Sequence, residues 1–145
     1  MSVQLVVFTL DDEEYGIDVS SINGILRANK FKIQTIPGTE ESIEGMIKLR
    51  GNVNYIFNLR TKFNLTKKDP SGESKFIMLN VNESIIGCIV DEVTDIVKLN
   101  DDEIQLAPAF VKGNKNYITG VGKLDDRMII ILDPQKIFEI EFNKI

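Results

Sequence analysis

The chain has 145 residues, 43% of them apolar and 27% charged, with a formal net charge of −5. That balance fits one ordinary domain or two small ones rather than a disordered chain, and the acidic excess leaves no electrostatic footprint for a nucleic acid. Histidine is absent, which removes the commonest general base and the commonest metal ligand together.

Gln4 to Leu10 is an apolar run broken only by Thr9, followed by the acidic corner Asp11 to Glu14 and a second run from Tyr15 to Val19. Strand, turn, strand is the reading. The opening MSVQLVVFTL carries neither a basic leader nor a cleavage site and reads as a first strand, not a signal peptide. No stretch approaches the roughly 20 continuous apolar residues that cross a bilayer, so direct membrane insertion is not expected and a cytoplasmic location is. From Val19 the apolar residues fall at Ile22, Ile25 and Leu26, a helical spacing long enough for one or two turns. A loop around Asn29, an extended piece from Ile33 to Ile36 and the stop Pro37-Gly38 follow.

Gly45 to Phe63 reads GMIKLRGNVNYIFNLRTKF: two apolar stretches about a polar corner, Leu49 to Asn52, then Asn58 where a helix N-cap belongs. Thr66 to Ser74 has the composition of a linker.

The pattern then begins again. Shifted by 71 positions, the first segment recurs from Lys75 to Pro108, with Gly16 on Gly87, Ile33-Gln34 on Ile104-Gln105 and Pro37 on Pro108. Gly45 to Phe63 returns as Gly120 to Phe138 at an offset of 75, which leaves extra residues for the loop Phe110 to Tyr117. Asp133-Pro134 repeats the N-cap with proline at the first helical position. The chain is thus predicted to be all-β: two tandem five-stranded barrels with short helices, the first over residues 1–66, a linker over 67–74 and the second over 75–145. A groove where two such barrels meet is the natural place for function.

Candidate chemistry is thin. The corner Asp11 to Glu14 lacks the alternating ligands, central glycine and closing glutamate of a calcium loop, and reads as a solvated hairpin tip. Asp91 and Asp133 do not make a two-lobed acid protease, because the first copy has Ser20 and Asn58 at the matching positions. No Gly-x-Ser-x-Gly elbow or Gly-rich phosphate loop occurs, and the single cysteine, Cys88, lies in the apolar run Ile85 to Val90. Neither catalysis nor a cofactor is predicted. Arg50-Gly51 is the pair of interest, since the second copy has Asp125-Asp126 there and the barrel itself needs no arginine. Arginine among aliphatic neighbours is a common interface anchor.

Phe8-Thr9-Leu10 with Tyr15-Gly16-Ile17-Asp18-Val19, Gly45-Met46-Ile47-Lys48-Leu49-Arg50-Gly51, Asn58-Leu59-Arg60, Gly87-Cys88-Ile89-Val90-Asp91-Glu92-Val93, Ile118-Thr119-Gly120-Val121 and Ile130-Ile131-Leu132-Asp133 follow in this order. With them the chain resembles, over essentially its whole length, the CheW family of bacterial chemotaxis coupling proteins. The resemblance implies two SH3-like barrels. It also implies a non-enzymatic adaptor joining the cytoplasmic tip of methyl-accepting chemoreceptors to the regulatory domain of the histidine kinase CheA, at membrane-associated receptor arrays. The kinase-facing positions it implies are Val6, Val19 and Ile22, each of which also reads as ordinary core; the receptor-facing ones are Gly45, Arg50 and Ile96. The chain departs from the family pattern at Gly24 for glutamate, Lys48 for asparagine, Tyr55 for proline and Asn58 for aspartate. Service to another CheA-type kinase pathway and a small-ligand sensor are the competing readings.

Overall fold

A computed structural model describes residues 2–112 and 116–139. The first copy contributes β1 (Ser2–Leu10), β2 (Glu13–Asp18), β3 (Ile22–Arg27), β4 (Ile43–Leu49), β5 (Asn52–Asn58) and the one-turn helix α1 (Leu59–Lys62). The second contributes β6 (Lys75–Val81), β7 (Ser84–Val90), β8 (Glu92–Asn100), β9 (Ile104–Leu106), α2 (Ala109–Lys112), β10 (Ile118–Leu124), β11 (Arg127–Leu132) and α3 (Pro134–Ile137). Asn58 accepts from the Arg60 and Thr61 amides, and Asp133 from the Gln135 amide, so both expected N-caps form.

The hairpin corners are made by left-handed residues. Asp11 and Asp12 have φ of 53° and 66°, and Arg50 and Gly51 have 52° and 83°. Two positive φ values in a two-residue loop match the right-handed twist of the flanking strands.

Two expectations need correction. The helical spacing at Val19, Ile22, Ile25 and Leu26 describes a single 3-10 turn, Val19–Ser21; the rest is the strand β3, antiparallel to β6. A register shift between Ile22 and Gly24 inserts a residue into the strand, yet burial alternates along it. Ile22, Gly24 and Leu26 are half-buried and Asn23, Ile25 and Arg27 exposed, so the spacing of three from Ile22 to Ile25 joins residues on opposite faces. The corresponding residues of the second copy are likewise strand, β8. Within the expected loop Phe110 to Tyr117, Phe110 to Lys112 belong to α2, and 113–115 lie outside the described residues.

The second correction concerns the boundaries. The strands form a six-stranded sheet, β8-β1-β2-β11-β10-β9, and a five-stranded sheet, β3-β6-β7-β5-β4. One compact unit takes the chain up to Ser21 and from Thr94 onward; the other is Ile22–Val93. Residues 1–66 and 75–145 therefore describe the repeat and not the compact units: each copy gives its first hairpin to one sheet and its remaining strands to the other. The exchange is symmetric. β3 joins β6 as β8 joins β1, and parallel pairing sets Ile56 beside Gly87 in one sheet and Ile131 beside Gly16 in the other.

Each unit has its own core. In the first, Leu5, Val7, Val97, Leu99 and Ile129 pack together; in the second, Ala28, Ile47, Ile56, Phe76, Met78 and Ile89 do. Leu5 and Phe76, Val7 and Met78, and Ala28 and Leu99 are pairs related by the repeat, so the same positions of the repeat are buried in both. Cys88 is fully buried, and desolvation pushes its thiol pKa well above the ordinary value, as an inert core thiol requires.

Candidate functional site

The β4–β5 hairpin presents two unlike faces. Ile47 and Ile56 point into the core, whereas the cross-strand pairs Met46 with Tyr55 and Lys48 with Val53 lie on the outer face. Val53 is 57% exposed and Tyr55 48%. Arg50 stands exposed at the tip, and neither it nor Lys48 makes an ion pair or side-chain hydrogen bond among the described residues.

Gly45, expected at the receptor contact, is buried and has a steric duty. It sits at a register shift in β4 with φ of 148°, and a Cβ there would strike the backbone oxygen of Gln34. That close approach lets Gln34 and Met46 exchange two backbone hydrogen bonds of 2.9 Å on the outer edge of β4. Gly120 meets Gln105 in the same way.

Below the hairpin, Asn58 does more than cap α1. Its Oδ1 accepts from the Arg60 amide at 2.8 Å, which assigns Nδ2 as the group that donates to Glu44 Oε1 at 2.7 Å. A carboxylate at this position could not make the second bond, so asparagine suits a chain with Glu44 beside it. Glu44 also meets Lys67 Nζ at 3.5 Å. Arg60, 6% exposed, donates to Asp91 at 2.8 Å and to the Thr66 carbonyl at 2.7 Å, tying the start of the linker to the end of β7.

The remaining candidates divide between the units. Val6, on β1 opposite Ile17, is only 3% exposed, so its side chain is already covered. Val19 is half-buried in the 3-10 turn, where the Ser20 amide donates to Asp18 Oδ1 at 2.9 Å, and it lines a shallow depression with Val3, Gln4 and Lys98. Ile22 is half-buried and belongs to the other unit, as do Gly45 and Arg50. Ile96, in the first unit, is 62% exposed on β8.

Next to Ile96, Asp95 accepts from Arg127 Nη1 at 3.0 Å, and Arg127 Nη2 reaches Glu14 at 2.7 Å. The network joins β8, β11 and β2. Hydrogen bonding to the Arg127 guanidinium holds the Asp95 carboxyl below the usual carboxylate range, and the two carboxylates, Glu14 first, raise the guanidinium pKa further.

Spatial neighbours that the sequence reading missed are Lys32 and Val53. Lys32 lies in an extended piece without periodicity, and only the Gln34–Met46 bridge brings that piece beside β4. Among the described residues no group of three or more His, Cys, Asp or Glu is placed to hold a metal ion, and no helix is long and apolar enough to cross a membrane.

Comparison with known proteins finds likeness along nearly the whole chain. A family model described as CheW-like domain matches residues 4–142. The chain is 34% identical to the chemotaxis protein CheW of Klebsiella aerogenes, over 95% of this chain and 82% of that protein, and 29% identical to that of Helicobacter pylori, over 97% and 84%. Among solved structures, the scaffolding protein TtCheW from Thermoanaerobacter tengcongensis superposes with a TM-score of 0.89 at 30% identity, covering 100% of this chain and 98% of that one.

Proposed function

The chain belongs to the CheW-like domain family, and from that premise we propose that it is the adaptor that couples chemoreceptors to a CheA histidine kinase in chemotaxis signalling. The observation that carries this reading is the likeness to proteins named for chemotaxis and for scaffolding, which extends over both SH3-like barrels. The adaptor is non-enzymatic and acts in the cytoplasm, at receptor arrays it reaches through its partners. A sensor for a small ligand is not favoured by any observation, and no nucleic-acid partner is proposed.

The kinase partner is the regulatory domain of CheA, met by Val19 and Ile22. Val6, 3% exposed on β1, is the third residue proposed for the kinase contact. The receptor partner is the cytoplasmic tip of a methyl-accepting chemoreceptor, met by Arg50 and Ile96. Gly45 contributes through the backbone of the hairpin that carries Arg50. An adaptor held on both partners converts a receptor state that packs differently against it into a change in kinase activity; couplings of this kind amount to about 1–3 kcal/mol.

The test is calorimetric titration with the regulatory domain of the CheA-type kinase from the same organism. Val19→Asp and Ile22→Asp should abolish measurable binding while circular dichroism stays unchanged. Binding retained by both folded variants would remove these residues from the kinase face.

A further inference from the structure

A depression of about 350 Å³ on the Ile22–Val93 unit is lined by Lys32 and Lys48 together with Gln34, Met46, Ile47 and Val53. We propose that this strip on the outer face of the β4–β5 hairpin is a second receptor contact, and that it takes a helix carrying acidic residues beside an apolar stripe. The inference rests on the adaptor reading for the identity of the partner.

Charge is the first argument. The chain as a whole is acidic at −5, yet Lys32 and Lys48 line one depression, Arg50 stands at the tip of the same hairpin, and none of the three has an ion-pair partner among the described residues. Glu44, the one acidic residue of the hairpin, is engaged by Asn58 and Lys67. A local reversal of sign selects an acidic partner and repels a basic one. Between and beside the lysines, Met46 and Val53 with the neighbouring Tyr55 offer apolar surface, and Val53 and Tyr55 are 57% and 48% exposed.

Edge geometry argues for a helix over an added strand. β4 ends its sheet, and Gln34 already occupies the outer hydrogen-bonding groups of Met46, so a partner strand is blocked at that residue. A helix needs none of those groups, since it docks through side chains spaced three and four residues apart.

The experiment is fluorescence titration of a receptor cytoplasmic fragment from the same organism with the full chain and with Lys32→Glu, Lys48→Glu and Lys48→Arg. Each reversal should weaken receptor binding about tenfold, whereas Lys48→Arg should stay within about twofold. The difference should shrink in 1 M salt, where screening acts over about 3 Å. Kinase binding, measured in parallel, should not change. Receptor binding by both reversals within about twofold of the original would overturn the inference and leave the adaptor reading standing, and equal losses of kinase and receptor binding would also overturn it. No receptor binding by the unaltered chain would overturn both.

Discussion

Arg50 holds a backbone conformation that suits it poorly. At φ 52° a residue other than glycine, asparagine or aspartate carries a cost of about 1 kcal/mol, and the repeat-related residue of the second copy, Asp125 at φ 55°, is a type that tolerates the region. We propose that arginine stands at this corner for binding and not for the fold. Arg50→Asn should therefore raise stability by about 1 kcal/mol in urea titration while weakening receptor binding; a variant that loses stability would show that Arg50 serves the hairpin instead. Gly45 is the reverse case. Gly45→Ala sets a Cβ against the Gln34 carbonyl at φ 148° and should cost about 2 kcal/mol or more, so its effect on receptor binding should follow the fraction folded. Unaltered stability, read from the urea midpoint, would contradict this account of the glycine. Gly24 differs from both, for a Cβ there meets nothing within 4 Å and glycine is not required by space. At this scale the sequence showed which residues to watch, through the contrast between copies. It could not show that Gly45 answers to Gln34, because Gln34 lies in an extended piece outside the strands and only the fold brings it beside β4.

Among the elements, the hairpins and caps were legible because turn and capping chemistry is local. β3 and its repeat counterpart β8 were not, since in β3 the apolar residues that matched a helical spacing, Ile22 and Ile25, lie on opposite faces of a short strand. The Arg127 network was equally hidden, because Glu14, Asp95 and Arg127 come from three strands far apart in the chain. Its consequence is a pH dependence of known sign. The Asp95 carboxyl titrates lower in the folded chain than in the unfolded one, so its stabilisation is complete above the unfolded value, about 3.9, and fades as pH falls through the folded value. Asp95→Asn should lower the urea midpoint at pH 7, and the gap between the two proteins should begin to narrow as pH falls below about 4. A constant gap between them down to pH 2 would show that the carboxylate charge plays no part.

For the molecule as a whole, the duplication was plain in the sequence but the pairing between copies was not. Two copies with the same strand pattern offer equivalent edges, so Ile22–Arg27 can pair within its own copy or with the other at similar energy. Nothing in the residues distinguishes the two, and the structure takes the second course, pairing it with Lys75–Leu79. The 3-10 turn at Val19–Ser21 is where the chain leaves one unit for the other. The proposed kinase contacts Val19 and Ile22 flank that crossing, and the proposed receptor contacts Arg50 and Ile96 are likewise drawn from both units. The role proposed for these contacts is that of an adaptor between kinase and receptor. The most direct test of that role is sedimentation of a CheA-type kinase with receptor-containing membranes from the same organism, with and without this protein. The account predicts that the kinase pellets with the membranes only when the protein is present and that Val19→Asp abolishes the effect. Equal sedimentation of the kinase in its absence would contradict it.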